Sequence, residues 1–132
     1  MKIFRSSRVP INAADPVTFT GLARVKRLVE EASEDETPVG VYRVVFSDGA
    51  RTHWHKHSGP QWLFVVEGRI RAQVLGEEAQ DVEAGDAIVF APNEKHWHGA
   101  VPGHSGTHLA VNINVKTEWL EAVTDEDYYQ QQ

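Results

Sequence analysis

The stretch "GARTHWHKHSGPQWLFVVEG", residues 49–68, decides the fold. His53, His55 and His57 stand at alternate positions, and Gln61 follows an "SGP" turn at 58–60. In a β-strand, residues i and i+2 share one face and lie about 6.6 Å apart. The pattern therefore predicts a strand over 50–57 with its histidines on one side, a turn, and a second strand over 62–67.

A second histidine pair lies further along the chain, in "GDAIVFAPNEKHWHGAVPG" at 85–103. His96 and His98 would share one face of a strand over 96–100. Imidazoles from two strands can converge on one ion, because metal–nitrogen bonds are only about 2.0–2.1 Å long. A single strand histidine is more often structural, but two such groups in one small domain favour a shared metal site. The chain has no cysteine, so thiolate ligands, disulfides and cysteine nucleophiles are excluded.

The rest of the pattern is short and mostly alternating, which is typical of an all-β sandwich or barrel. Further strands are predicted over 17–20, 22–28, 39–46, 69–75, 87–90 and 107–115. We expect helical structure within 116–129, where Thr117 and Thr124 could each cap a short helix, and a helix or loop over the acidic 29–36.

Composition narrows the function classes. The 132 residues carry a formal net charge of −6 and no basic stripe, so a nucleic-acid partner is not expected. No apolar run approaches the roughly 20 residues of a membrane helix, and the N-terminus lacks a signal peptide's apolar core. We therefore expect no membrane partner and a cytoplasmic location.

Residues 49–68 resemble the first motif of the cupins. Gly49, His55, His57, Gln61 and Gly68 stand at the motif's spacing, with Gln61 in place of the usual glutamate. Residues 85–103 resemble the second motif, and the position of its histidine ligand falls on residue 96. The resemblance implies a double-stranded β-helix (jelly-roll) barrel. It also implies a metal ion held by residues 55, 57, 61 and 96.

A narrower resemblance, to small bacterial cupins that include manganese-dependent hydroxynitrile lyases, rests on "NEKHWHGA", "THLAV" and "WLEAVTDEDY". It implies one cupin domain over 1–132, with N-terminal strands and a loop at 1–38, a barrel core at 39–115 and a helical tail at 116–132. It also implies a homodimer or homotetramer. For the single divalent ion it favours manganese or iron, and mixed N/O ligation is compatible with nickel or zinc.

Alternation also predicts the cavity wall. In "THLAVNI", His108, Ala110 and Asn112 share one face, which would point into a barrel. The resemblance implies that His108 is the catalytic acid/base. Tyr42, Val44, His98 and Asn112 are predicted to line the substrate pocket. Tyr42 and Asn112 differ from the residues typical of the lyases. We interpret His53 and His104 as rim or surface residues.

Three function classes remain open from the sequence. The first is a metal-dependent lyase of the hydroxynitrile type, in which a neutral ligand shell leaves the ion a strong Lewis acid. The second is an iron or manganese dioxygenase on the same ligands. The third is a non-catalytic cupin that binds a small molecule, since one fold hosts many functions.

Overall fold

Residues 1–32 and 38–130 are described by the computed structural model, and in this part of the chain β-strands dominate. The strands are β1 (Ile11–Ala13), β2 (Phe19–Thr20), β3 (Ala23–Ala32), β4 (Pro38–Phe46), β5 (Arg51–Thr52), β6 (His55–His57), β7 (Gln61–Val74), β8 (Gln80–Glu83), β9 (Ala87–Phe90), β10 (His96–Ala100), β11 (Gly106–Ile113) and β12 (Thr117–Trp119). A 3₁₀ turn (Ser6–Arg8) precedes them, and helix α1 (Asp125–Tyr128) follows.

All strand pairs are antiparallel, and the sheet curls on itself in the order β1-β3-β4-β11-β7-β10-β5-β2. β6 pairs with β10 and β12, while β8 and β9 both pair with β7. The inner faces enclose an apolar core that includes Phe46, Val65 and Ile70. This architecture confirms the all-β barrel that the sequence predicts.

β7 corrects the prediction of two strands at 62–67 and 69–75, because one long strand replaces them. Gly68 has φ +65°, and a Cβ there would collide with the carbonyl oxygen of Ser105. Opposite it, the register of β11 shifts between Thr107 and His108. Such a bulge bends a strand without ending it, so β7 passes from one side of the barrel to the other.

The predicted strand over 50–57 is two short strands, and this corrects the orientation of His53. His53 and Trp54 interrupt it between β5 and β6. The backbone of Trp54 bonds instead to Glu121 and Leu120 in the tail. His53 therefore does not lie on the face that carries His55 and His57.

The predicted helix over 116–129 is wrong for most of its length. β12 occupies its start and pairs with β6, so Thr117 lies in a strand and caps no helix. Only α1 is helical, and Thr124 caps it as predicted by accepting a hydrogen bond from the Asp127 N–H. β3 extends through residue 32, which contradicts a helix at 29–32, and residues 33–36 lie outside the described part of the chain.

The tail returns over the outer face of the barrel. Trp97 and Tyr128 are buried there and pack together with 5.8 Å between their ring centroids. On the opposite side, the outer face of β7 and β9 leaves Trp62, Phe64 and Val89 exposed. The expected self-association stays a prediction. No helix in the described residues is long and apolar enough to span a bilayer.

Candidate metal centre

Strand pairing brings the two histidine groups together. His55 on β6 lies directly opposite His96 on β10, with 4.3 Å between their ring centroids. His57 completes a triangle, with its centroid 5.1 Å from that of His55 and 5.5 Å from that of His96. All three side chains are buried. The two segments that the sequence pairs across 40 intervening residues thus form one cluster.

The Nδ1 atom of each of these rings faces an oxygen. His55 Nδ1 lies 2.8 Å from the carbonyl of His53, and His96 Nδ1 lies 2.7 Å from the carbonyl of Glu94. His57 Nδ1 lies 2.8 Å from the hydroxyl oxygen of Thr117. A carbonyl can only accept, so the rings at 55 and 96 donate from Nδ1 and keep a lone pair on Nε2.

Gln61 brings an amide oxygen to the same cluster. Its Nε2 donates to the side-chain oxygen of Asn112 at 3.0 Å, which turns Oε1 inward. That oxygen lies 3.3 Å from Nε2 of His96. Because His96 donates from Nδ1, two lone pairs face each other across this gap. A bound cation resolves such an arrangement, and neighbouring ligands about 2.1 Å from one ion lie about 3 Å apart.

The described residues contain a further histidine within reach of the cluster. Ligand nitrogens of His55, His96 and His98 all lie within 4.8 Å of one another, so this group can hold a metal ion. It overlaps the sequence-predicted set at two positions, and His98 stands where that set has His57. Nε2 of His57 and Nε2 of His98 are both buried without a hydrogen-bond partner. The donor chemistry therefore fits a divalent ion with either His57 or His98 as the third nitrogen ligand.

Burial keeps these rings neutral. Desolvation is the main cause that lowers the pKa of His96 to about 4, and it also lowers the pKa of His57, where nearby Gln61 offsets part of the effect. The pKa of His55 falls well below its usual value through desolvation and then through His96. Neutral imidazole is the form that binds metals. The cluster is thus in its ligand form at neutral pH.

His98 and His108 form a hydrogen-bonded pair next to the cluster of His55, His57 and His96. Nε2 of His108 lies 2.9 Å from Nδ1 of His98, and both side chains are buried. Desolvation lowers the pKa of His108 to about 3 and the pKa of His98 well below its usual value. The outer nitrogens, His98 Nε2 and His108 Nδ1, have no partner. In the neutral pair, one of these two nitrogens carries a proton and the other a lone pair.

A cavity of about 470 Å³ opens onto these groups. Of the nine sequence-predicted site residues, eight line it: Tyr42, Val44, His55, His57, Gln61, His98, His108 and Asn112. His96 lies behind the wall, stacked on Phe90 with 3.7 Å between ring centroids. The structure thus brings all nine together, while their catalytic and ligand roles stay predictions.

The remaining histidines and the C-terminal tail partly follow the sequence interpretation. His104 is exposed, as expected, and His53 contributes its carbonyl to the cluster. Sequence reasoning missed Thr117 and Trp119 on β12, which line the cavity with Phe19 of β2. The alternation of Thr117 and Trp119 is the strand signal that local helix preference obscured.

Comparison with known proteins decides the family. The cupin domain family matches residues 42–111 of this chain. The chain is a cupin. It is also 41% identical over 113 residues to an (R)-mandelonitrile lyase of Granulicella tundricola, which covers 83% of this cupin and 85% of the relative.

Solved structures agree on the fold of this cupin. A cupin-like protein of Thermotoga maritima superposes with a TM-score of 0.79 and 40% identity, over 88% of this chain and 89% of that one. The polyketide cyclase RemF of Streptomyces resistomycificus superposes with a TM-score of 0.72, over 98% and 90% of the two chains. At 19% identity the RemF comparison shows the shared fold alone.

Proposed function

We propose that this cupin is a metal-dependent lyase that cleaves small cyanohydrins such as mandelonitrile into an aldehyde and hydrogen cyanide. The observation that carries the proposal is the buried, neutral histidine pair His98–His108, which lines the same cavity as the candidate ligands. The 41% identity to a protein named as a mandelonitrile lyase supports the substrate class.

We assign the ion to His55, His57, Gln61 and His96. Their inward atoms are three imidazole nitrogens and one amide oxygen, with no carboxylate to offset the ion's charge. When bound, the ion would act as a Lewis acid toward a substrate oxygen. Manganese or iron suits this mixed donor set, and nickel and zinc are also compatible. His98, the third member of the 4.8 Å group, is an alternative ligand to His57 only in the tautomer that donates from Nδ1 to His108 and keeps Nε2 unprotonated.

The histidine pair supplies the proton chemistry. If His108 donates from Nε2 to His98, its Nδ1 holds a lone pair that can accept the substrate hydroxyl proton. The carbon–carbon bond to the nitrile then breaks, its electron pair leaves with cyanide, and the carbonyl forms. The imidazolium returns its proton to cyanide, which departs as hydrogen cyanide. The developing anion beside the ring favours the protonated form and offsets the lowered pKa.

The rest of the cavity limits the substrate. Phe19, Trp119 and Val44 are apolar residues of the cavity lining, and Tyr42, two residues before Val44 on β4, adds a phenol to it. Burial, and then Glu30, raise the pKa of Tyr42, so its hydroxyl stays protonated and can donate a hydrogen bond. A small aromatic or aliphatic cyanohydrin fits this mixture of surfaces.

Activity of the loaded protein tests the proposal. Manganese-loaded and metal-free protein would be incubated with mandelonitrile, and benzaldehyde would be followed by absorbance. We expect aldehyde release with the loaded protein only. Equal rates with and without metal would contradict the proposal. Oxygen uptake by iron-loaded protein, with no aldehyde release, would point to the dioxygenase instead, and binding without turnover would point to a non-catalytic cupin.

A further inference from the structure

β12 crosses the candidate metal centre on the side that faces the cavity. Its register places Thr117 opposite His57 and Trp119 opposite His55. The Trp119 ring packs on the His55 ring, with 4.5 Å between centroids and 34° between planes. Both tail residues line the cavity. The strand therefore contacts both histidines of β6 by their side chains as well as by its backbone.

The three cluster histidines are not anchored alike. Backbone carbonyls hold the Nδ1 atoms of His55 and His96, and a carbonyl can only accept a hydrogen bond. His57 instead faces the hydroxyl of Thr117 at 2.8 Å. A hydroxyl can donate or accept, so this contact alone leaves the tautomer of His57 open.

The other nitrogen of His57 decides between the two tautomers. Its Nε2 is buried without a hydrogen-bond partner. A proton on Nε2 would leave a buried N–H donor unpaired, which costs about 1–3 kcal/mol and is rarer in proteins than an under-satisfied acceptor. The proton therefore belongs on Nδ1, where the hydroxyl of Thr117 accepts it. That arrangement leaves the Nε2 lone pair directed at the cluster.

We infer that Thr117 is a positioning residue of the metal centre. It holds His57 in the Nδ1–H tautomer and fixes the rotation of its ring, so that Nε2 is ready to bind the ion. The inference rests on the proposed metal site and assigns it a fifth, non-ligating member from the C-terminal tail. Hydrogen bonds of this kind to ligand histidines change metal affinity by about 10–100-fold.

Three variants test the role of the hydroxyl. Thr117→Val keeps the shape and removes the acceptor, whereas Thr117→Ser keeps the acceptor. Glu118→Ala is the matched control, because Glu118 lies on the same strand and forms an exposed pair with Lys56, with 3.4 Å between Nζ and Oε2. Mn(II) dissociation constants would be measured from the electron paramagnetic resonance signal of the free ion.

We expect Thr117→Val to weaken Mn(II) binding by about 10–100-fold. Thr117→Ser and Glu118→Ala should bind as the parent does. Equal affinity in the parent and Thr117→Val would overturn the inference while the metal site stands. A loss shared by all three variants would also overturn it, because β12 would then act only through its docking.

A second measurement needs no metal. Nitrogen-15 spectra of metal-free protein report which ring nitrogen of His57 carries the proton. We expect the Nδ1–H form in the parent and Thr117→Ser, and a loss of that form in Thr117→Val. If the parent binds no Mn(II), the proposed function fails, and these spectra still decide whether Thr117 fixes the tautomer. An Nε2–H form in the parent would refute the inference.

Discussion

Two buried polar clusters lie on opposite sides of β10, and they are satisfied to different degrees. On the outer side, every guanidinium nitrogen of Arg71 has a partner: Asp81 binds it through two oxygens, at 2.7 and 3.1 Å, and carbonyls of Tyr128 and Gln130 complete it. On the inner side, three histidine nitrogens are buried with no partner. The first cluster is complete without a ligand, and the second is not.

This difference in hydrogen bonding indicates a structural role for the Arg71 cluster and a binding role for the histidine cluster. Buried polar groups in proteins are normally hydrogen-bonded, so each exception needs an explanation. Arg71 fastens the tail to β7 and β8 and needs nothing more. Under the proposed function, an ion and a substrate would supply the missing partners of the histidine cluster. Changes in the outer cluster should therefore affect stability, and changes in the inner cluster should affect metal binding and turnover.

The largest expected effect concerns the unpartnered nitrogen of His108. Replacing His108 with Ala removes the proposed acid/base, and the rate of mandelonitrile cleavage should fall by about 10²–10⁴-fold. Metal content should not change, because His108 is not among the assigned ligands. Steady-state kinetics and elemental analysis on the same sample would check both statements. Unchanged turnover would remove His108 from the mechanism.

Disrupting the outer cluster around Arg71 should lower the free energy of unfolding of the protein rather than abolish its activity. Arg71→Met keeps the side-chain stem but leaves Asp81 unpaired, and that carboxylate is only 14% exposed. Removing one partner of a buried pair costs about 3–5 kcal/mol. Urea denaturation would measure the loss, with Arg43→Met as control, since the exposed Arg43–Glu67 pair contributes about 1 kcal/mol or less. Equal losses in both variants would refute the distinction.

Acid should lower the stability of the metal-free protein through the buried histidines of the inner cluster. A histidine whose folded pKa is lowered stays neutral while its unfolded counterpart gains a proton near pH 6.5, so stability is full above that pH and falls below it. For His96 the decline continues to its folded pKa of about 4. Between the unfolded and the folded pKa, each such histidine lowers the free energy of unfolding by about 1.4 kcal/mol for every pH unit of acidification. Urea unfolding of metal-free protein at pH 7.5, 6 and 5 should show the decline, and a flat profile would contradict it.

The smallest expected effect lies at Asn112, which turns the Gln61 amide inward. Asn112→Ala should weaken metal binding by about tenfold, because Gln61 Oε1 is no longer directed at the cluster. Manganese titration of the variant beside the parent would measure the change. A Gln61→Ala variant, which lacks the ligand itself, should lose at least as much affinity. A larger loss at Asn112 than at Gln61 would not fit this account.

Much of the barrel was predictable because its signals are local. Alternation placed β9 and β10 at their observed bounds, and it put His108, Ala110 and Asn112 on one face, as the cavity confirms. The resemblance to the cupin motifs selected four candidate ligands, and strand alternation with the narrower resemblance added five cavity residues; the fold brings all nine together. These features depend on period-two patterns and turn residues, which a single sequence displays.

The tail was not predictable, because its structure depends on distant pairing. "KTEWLEAV" has a helical preference, but pairing of β12 with β6, some 60 residues earlier, overrides it. For the same reason Thr117 and Trp119 escaped notice as cavity residues. The break at His53 was also invisible, and it makes a backbone carbonyl, rather than an imidazole, the contribution of that residue to the site.

The central claim is that the inner cluster holds one divalent metal ion. Elemental analysis of the protein purified without a histidine tag, beside a His55→Ala/His57→Ala variant, tests it most directly. The account predicts about one transition-metal ion per chain in the parent and little in the variant, with both folded. No stoichiometric metal in the parent after loading, or equal metal in both proteins, would contradict it.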